Sequence, residues 1–259
     1  MRQKSILWSL LIFVIIGLLT TLCKKDDNTS DNPYNGKTTA VFNPNLKYGI
    51  LTDQDGNIYK TIVIGTQTWM AENLRTTTLN NSTKIKNKPD ETDWKASVSE
   101  VAYCSYNNTK NVDSISTFGF LYNWAAVKSG KLAPIGWHVP TNDEWHTLLS
   151  SMGDIRNEQK LRIEGGKLKE IGTTHWLTPN NFADNSYGFT ALPGGGRYYS
   201  AHPFSGIQKS GCWWSSTGGT ANDDAWVIYV DYKYGGVSFD AANLGNGERG
   251  HSIRCIKDN

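Results

Sequence analysis

The stretch GWHVPTNDEWHTLLSSMG, residues 136–153, decides the fold class because it joins a turn punctuated by Gly and Pro to the clearest helix signal in the chain. Thr141 and Glu144 have the spacing of a capping box, which marks the start of a helix. Apolar residues then recur at i, i+3, i+4 and i+7, at Trp145, Leu148, Leu149 and Met152. The stretch predicts a short amphipathic helix that packs Trp145 into a core and ends at Gly153.

Short strands are predicted on both sides of this helix. Residues 58–64 alternate with strand spacing, Gly65-Thr66 forms a turn, and residues 67–73 are predicted to return as a second strand. A second helix is predicted from Phe120 to Val127. Further strands are predicted at 226–232, 237–240 and 251–257. Few helices, many short strands and long Gly-rich connections favour an α+β domain with two or three short helices and long loops.

The 259 residues include 10 tryptophans, most of them in short motifs with Gly, Pro or Asn, such as THW (174–176) and GCWWSS (211–216). Large rings at such positions fix loops onto a core. The same rings offer wide contact area at low entropic cost, so the composition also suits a face that binds sugar or protein.

The N-terminus has the layout of an export signal, because Arg2 and Lys4 precede an uncharged apolar run that is short for a bilayer span. The run ends at Cys23, and the segment resembles the start of a bacterial lipoprotein, in which this cysteine is lipidated after cleavage. We therefore expect residues 1–23 to be a lipoprotein-type signal. An uncleaved membrane anchor and free secretion are the alternatives, since Leu22 stands where such signals usually carry Gly, Ala or Ser.

Residues 24–46 are polar and rich in Asn, Asp and Thr, a composition that predicts a flexible linker. Within it, KDD at 25–27 resembles the tract with which Bacteroidota lipoproteins are displayed on the outer face of the outer membrane, so a cell-surface location is expected. Without Arg2 and Lys4 the basic residues fall from 26 to 24 and equal the 24 acidic ones. This neutral balance disfavours nucleic-acid binding.

From about residue 50 to residue 258 the chain resembles the Fibrobacter succinogenes major paralogous domain, a family of exported domains. The motifs that carry the resemblance are DGNIY (55–59), IGTQTWMAENL (64–74), GFLYNW (119–124), GWHVPT (136–141), GGKLKE (165–170), GFTALPGG (188–195), WWSST (213–217) and SIRC (252–255). The resemblance implies that residues 47–259 form one domain with a fold similar to C-type lectin-like and formylglycine-generating-enzyme-like domains. It implies no established activity and supplies no catalytic residues. Ala133-Pro134 departs from the Cys-Pro that members often carry, which puts the local disulfide pattern in doubt.

Lipidation of Cys23 would leave three of the 4 cysteines, so at least one is free or pairs between chains. We expect a disulfide between Cys104 and Cys255, with other pairings open. Cys212 is then a buried thiol or, alternatively, a copper or redox ligand.

Motifs for other cofactors are weak. The five histidines are scattered and no Cys-x-x-Cys occurs, which argues against structural zinc. GNGERG (245–250) fits G-x-G-x-x-G but lies too close to the C-terminus for a dinucleotide fold. We therefore expect no cofactor, with calcium as the one possibility, bound by loop oxygens of Asn222, Asp223 and Asp224.

Ligand contacts are expected in the Gly-rich aromatic stretch after Gly194, at Arg197, Tyr198, Tyr199 and His202. The sequence as a whole favours a membrane-tethered, non-catalytic binding module for glycan or protein. A structural or envelope-assembly lipoprotein is the first alternative. The second is an enzyme of the formylglycine-generating-like class with copper- or thiol-dependent oxidase-like chemistry.

Overall fold

The structure, a computed structural model, describes residues 32–153, 158–198, 203–219, 224–243 and 248–259. All of these lie in one compact unit, Asp31–Asn259. Its strands, in chain order, are β1 Gly49–Thr52, β2 Ile58–Ile64, β3 Gln67–Met70, β4 Lys86–Asn87, β5 Ala102–Cys104, β6 Leu121–Asn123, β7 Trp137–His138, β8 Gly194–Arg197, β9 Phe204–Ile207, β10 Ser210–Gly218, β11 Asp224–Asp231, β12 Val237–Asn243, β13 Gly250–His251 and β14 Ile256–Lys257. The helices are α1 Glu91–Lys95, α2 Val112–Phe118, α3 Trp124–Lys128, α4 Asn142–Met152 and α5 Glu158–Leu168, with a 3₁₀ turn at Tyr106–Asn108.

These strands form three sheets, in the orders β1-β2-β3-β14-β7, β10-β11-β12 and β4-β5-β6-β13-β8-β9. In the first sheet β14 pairs with β3 through Ile256 and Trp69, so the last strand of the chain lies beside one of the first. The β4–β5 pair is parallel, whereas the other ladders are antiparallel. The expectation of an α+β domain is confirmed.

Helix α4 confirms the prediction from residues 136–153. Thr141 is the N-cap, its hydroxyl accepts from the backbone N–H of Glu144, and the Glu144 carboxylate accepts from the backbone N–H of Thr141. The buried residues of α4 are the predicted ones, Trp145, Leu148, Leu149 and Met152.

Trp145 lies in a core of large rings, as the spacing predicted. Its ring centroid lies 4.7 Å from that of Trp69, 5.8 Å from that of Phe189 and 6.3 Å from that of Trp213. These rings come from α4, β3, the loop before β8 and β10, and each is at most 1% exposed. Tilted and edge-on aromatic pairs of this kind add about 0.5–1.5 kcal/mol each beyond their burial.

A buried guanidinium joins this aromatic core to the backbone around it. Arg254 donates to the carbonyl oxygens of Met70 (3.1 Å), Phe189 (2.6 Å) and Thr190 (2.9 Å), and to Oδ1 of Asn73 (2.7 Å). Asn73 Oδ1 also accepts from the indole N–H of Trp213 at 2.9 Å. Burial lowers the pKa of Arg254 to about 9, so the side chain still carries its charge at neutral pH.

Two predictions about helices were wrong. The segment predicted as a helix from Phe120 to Val127 is strand β6 followed by helix α3, because the Asn123 side chain accepts from the Ala126 N–H and starts the helix only at Trp124. The described residues also contain five α-helices rather than two or three. Helix α5 was missed because its sequence, EQKLRIEGGKL, has a weak apolar stripe and two adjacent glycines.

The predicted linker also differs from the structure where it is described. Residues 32–46, here called the strap, pack along the domain. Tyr34 contacts the ring of Phe120 edge-on at 6.3 Å, and the Val41 N–H donates to Oε1 of buried Glu170 at 2.6 Å. Phe42 packs edge-on against Tyr48 at 5.3 Å. A polar composition therefore did not mean a free linker, because a few aromatic and backbone contacts secure the strap.

Within the described ranges, no helix has the length and apolar character needed to cross a bilayer.

Replacing Arg254 by Met tests the role of the buried guanidinium. Three buried carbonyl oxygens would lose the Arg254 donor, whereas Asn73 Oδ1 would keep the indole N–H of Trp213. Each buried unsatisfied group costs about 1–3 kcal/mol, so we expect the free energy of unfolding to fall by at least about 3 kcal/mol. Urea denaturation measures the change, with Lys257→Met on neighbouring β14 as the exposed control. Equal unfolding free energies for the two variants would contradict a central role for Arg254.

Truncation tests the strap. A chain that begins at residue 47 should melt at a lower temperature than one that begins at residue 32, because the strap contacts are lost. Within the longer chain, Val41→Pro removes the N–H that donates to buried Glu170 and should cost about 1–3 kcal/mol. Val41→Ala keeps this N–H and is the matched control. Identical melting curves for both truncations would return residues 32–46 to the linker of the sequence prediction.

Candidate functional site

The predicted ligand contact at Arg197 is wrong, because the side chain is buried and fully used inside the protein. Its guanidinium donates to the carbonyl oxygens of Lys88 (2.8 Å), Pro89 (3.2 Å) and Asp90 (3.1 Å). It also lies over the Trp94 ring, 4.6 Å from the centroid. Arg197 therefore holds the segment before α1 onto β8, and only 1% of it is exposed.

Tyr198, the second predicted contact, points into the protein. Its hydroxyl lies 3.8 Å from Sγ of Cys212, and burial raises the pKa of Tyr198 above its usual range. Tyr199 and His202 lie outside the described residues, as do Asn222 and Asp223 of the calcium prediction. Asp224 is the first residue of β11. In the described part of the chain, no three His, Cys, Asp or Glu side chains come together as a metal site.

The predicted disulfide between Cys104 and Cys255 is also wrong. Both thiols are free and buried, and so is Cys212. Cys104 belongs to β5 and packs in a small cluster with Trp94, whereas Cys255 precedes β14 in the main core beside Met70, so the two cysteines belong to different sheets. Burial raises the pKa of Cys104 and of Cys212 to about 11, and also raises that of Cys255.

A pocket of about 190 Å³ lies where the predicted aromatic stretch returns as β9. The 3₁₀ turn, helix α2 and Ile207 of β9 form its walls, and its lining is mostly apolar. The lining residues are Ser105, Tyr106, Asn107, Thr109, Ser114, Ile115, Phe118, Gly119 and Ile207. A volume of this size accommodates one small ring rather than a large ligand.

Two neighbouring elements hold the apolar wall of this pocket in place. The Tyr106 ring lies 5.4 Å from that of Phe204 on β9. Burial raises the pKa of Tyr106, and a hydrogen bond with the backbone of Ile207 opposes this change in part. The rings of Tyr106 and Phe118 are half-buried, so each keeps one surface open to the pocket or to solvent.

The polar rim of the pocket comes from an unusual turn. Asn107 and Asn108 have φ values of 51° and 52°, in the left-handed region that non-glycine residues rarely occupy. Asn108 is fixed by a hydrogen bond to the Pro89 carbonyl at 2.9 Å. Within the described part of the chain, the exposed amide of Asn107 and the hydroxyl of Ser114 have no hydrogen-bond partner. These two groups are therefore available to a ligand in the pocket.

Phe118 connects the pocket to the strap. Its ring meets that of His175 edge-on at 5.6 Å. Nδ1 of His175 lies 2.8 Å from Oε2 of Glu170, and its Nε2 lies 2.9 Å from the Thr39 hydroxyl. The order of carboxylate, imidazole and hydroxyl is that of a hydrolase triad. However, Oγ1 of Thr117 contacts the same Thr39 hydroxyl at 2.9 Å and accepts from the Thr39 N–H, so the arrangement ties the strap down.

Sequence reasoning missed the pocket residues because they are distant in the chain and carry no motif. The consecutive asparagines at 107 and 108 were the one usable signal, since Asn tolerates the left-handed region and is common in turns.

Counting free thiols tests whether Cys104 and Cys255 are unpaired. A chain that begins at residue 32 should show three titratable thiols in denaturant without reductant, and none should react in the native state, because all three are buried with raised pKa values. Ellman's reagent gives both counts. A count of one thiol in denaturant would show that two of the three cysteines form a disulfide, and a count of zero for Cys212→Ser would then identify the pair as Cys104 and Cys255.

A known protein family matches most of this domain. The sequence model of the Fibrobacter succinogenes major domain matches residues 62–257. No curated protein matches the chain, and neither does any solved structure. The matched range begins within β2 and ends within β14, so it covers most of the described unit but not the strap. The chain therefore belongs to the Fibrobacter succinogenes major domain family, as its ordered motifs indicated.

Proposed function

We propose that this domain is a non-catalytic binding module, tethered to the outer membrane and displayed at the cell surface, whose pocket takes one sugar ring of a glycan. The observation that carries the proposal is the pocket itself. It offers apolar and aromatic surface from Tyr106, Phe118 and Ile207 beside the unpaired polar groups of Asn107 and Ser114. A sugar ring has the same two characters, an apolar face and a polar edge.

The fold supports the same proposal in a general way. The chain leaves the first sheet after β3, returns to it at β7, and returns again at β14, which lies between β3 and β7. The long connections between these strands carry the pocket. We propose that this arrangement is C-type lectin-like. The charged and apolar layout of residues 1–22 and the following Cys23 support the proposed tether.

A second candidate is envelope assembly through a protein partner. It is favoured by two exposed aromatic rings, Phe182 at 57% and Tyr234 at 69% exposure. Both residues lie beside Gly166 of α5. Phe182 packs against Gly166, and the Gly166 N–H donates to the carbonyl of Gly235, the residue after Tyr234. Exposed aromatic side chains that lie close together mark interaction surfaces.

Glycan-array binding of residues 32–259 tests the first candidate. Ser114→Trp would fill the pocket from a half-buried position on α2, and we expect it to weaken binding at least 10-fold without lowering the melting temperature. Asn107→Ala removes one polar contact and should weaken binding about 3-fold to 10-fold. Ser99→Trp, at an exposed serine outside the pocket, is the matched control.

The outcomes of these experiments distinguish between the two candidate functions. Undiminished glycan binding by folded Ser114→Trp would place the ligand elsewhere. No binding by the folded wild-type chain, together with a partner captured by wild type but not by Phe182→Ala/Tyr234→Ala, would favour envelope assembly. Loss of glycan binding in chelator would support the calcium prediction for Asn222, Asp223 and Asp224.

A further inference from the structure

A histidine with a carboxylate on each side lies at the edge of the first sheet, apart from the pocket. His138 belongs to β7, the last strand in the order of this sheet. Its Nδ1 lies 2.7 Å from Oδ1 of Asp258, and its Nε2 lies 2.7 Å from Oε1 of Glu144. Asp258 follows β14 and Glu144 is in the first turn of α4, so one imidazole bridges the C-terminal end of the chain and a helix.

Two contacts of this length need an N–H donor at each ring nitrogen. An ionised carboxylate only accepts hydrogen bonds, and a neutral imidazole has one N–H and one lone pair. In the neutral ring, one nitrogen would therefore turn its lone pair toward a carboxylate oxygen, and that contact would be repulsive. The imidazolium donates from both nitrogens, so the arrangement of His138 between Asp258 and Glu144 fits the protonated ring.

The other contacts of Glu144 place the shared proton on the imidazole. Oε2 of Glu144 accepts from the backbone N–H of Thr141 at 2.8 Å and from its hydroxyl at 3.0 Å, as part of the capping box. Hydrogen-bond donors therefore surround this carboxylate, and donors favour its ionised form. The carboxylate caps α4 through one oxygen and receives His138 at the other.

The charges around His138 favour the same protonation state. Glu144 from α4 and Asp258 from the C-terminal end are the charged groups that face the imidazole. On β14, apolar Ile256 lies opposite His138, and Lys257 lies one position further on. Partial burial lowers the pKa of His138, but the hydrogen bonds with Asp258 and Glu144 and their charges outweigh it, so the pKa lies above its usual range. The side chain is 40% exposed, which lets it exchange its proton with solvent.

The backbone ladder that holds the C-terminal residues at this point is short. Strand β14 has two residues, and the Asp258 N–H donates to the carbonyl of Gly136 at 3.0 Å. The contact between Asp258 and His138 therefore contributes substantially to holding the end of the chain against β7 and α4.

We propose that His138, Glu144 and Asp258 form a proton-operated clasp, in which the imidazolium fastens the C-terminal residues to α4 in mildly acidic medium and releases one carboxylate as the pH rises. A histidine whose folded-state pKa is raised gives stability that is complete below its ordinary pKa of 6.5. This stability is lost as the pH rises through the raised value. The clasp is separate from the sugar pocket, so either one can fail without the other.

A histidine titration followed by NMR tests the clasp in the full-length chain in detergent. The His138 signal, identified by its absence in His138→Gln, should titrate at a higher pH in the folded chain than in the chain unfolded in urea. Glu144→Gln and Asp258→Asn should each lower its midpoint, because an amide can donate to the neutral imidazole. Gln at position 144 also preserves the capping box. His146→Gln, at an exposed histidine of α4 that stacks on Phe239, is the matched control and should leave the His138 midpoint unchanged.

Hydrogen exchange of the C-terminal peptide tests what the clasp does. After correction for the intrinsic exchange rate, protection of the Asp258 N–H should fall about 2-fold to 5-fold between pH 6 and pH 9, the range expected for a partly exposed ion pair. His138→Gln should show no such fall. A His138 midpoint at or below that of the unfolded chain would overturn the proposal. So would a raised midpoint that persists in Glu144→Gln/Asp258→Asn, or C-terminal protection that changes with pH equally in wild type and His138→Gln.

Discussion

The buried guanidinium of Arg254 is the contact on which the other parts of the fold depend. Three of its partners are backbone carbonyls, one at the end of β3 and two before β8, and the fourth is Asn73, which also accepts from Trp213 on β10. A charged side chain is costly to bury unless its donors are satisfied, so the carbonyls must face it. This requirement fixes the three segments relative to one another. The aromatic core of Trp69, Trp145, Phe189 and Trp213 then fills the space that they enclose.

The position of the pocket depends indirectly on the contacts of Arg254. The Asn73 amide donates to the Phe118 carbonyl at 2.8 Å, so the group that receives Arg254 also sets the end of α2. Phe118 in turn lines the pocket and contacts His175, which helps to hold the strap. A ligand in the pocket would thus contact a wall that is hydrogen-bonded to the core on one side and to the strap on the other. Helix α2 therefore connects the pocket to the strap twice, through the Phe118 ring and through the Thr117 hydroxyl.

The sequence predicted best where the signal was local. The Thr141–Glu144 capping box and the spacing of Trp145 to Met152 defined α4 correctly, because both depend on helical periodicity alone. Prediction failed where distant residues decide the outcome. Arg197 follows three glycines and reads as a loop residue, yet carbonyls at 88–90 bury it. The strap has a polar composition, yet Glu170, more than 100 residues away, accepts from its backbone. No local pattern encodes either contact.

Charged and neutral buried groups are treated differently in this fold. Arg254 and Arg197 are both buried, and hydrogen bonds to carbonyl oxygens compensate each of them. Among the described residues, the indole N–H of Trp145 and both ring nitrogens of His251 lack a hydrogen-bond partner. A buried neutral group without a partner costs about 1–3 kcal/mol, whereas a buried unpaired charge costs far more. The donors of the two guanidiniums therefore constrain the surrounding backbone, and the neutral rings of Trp145 and His251 are held by aromatic packing instead.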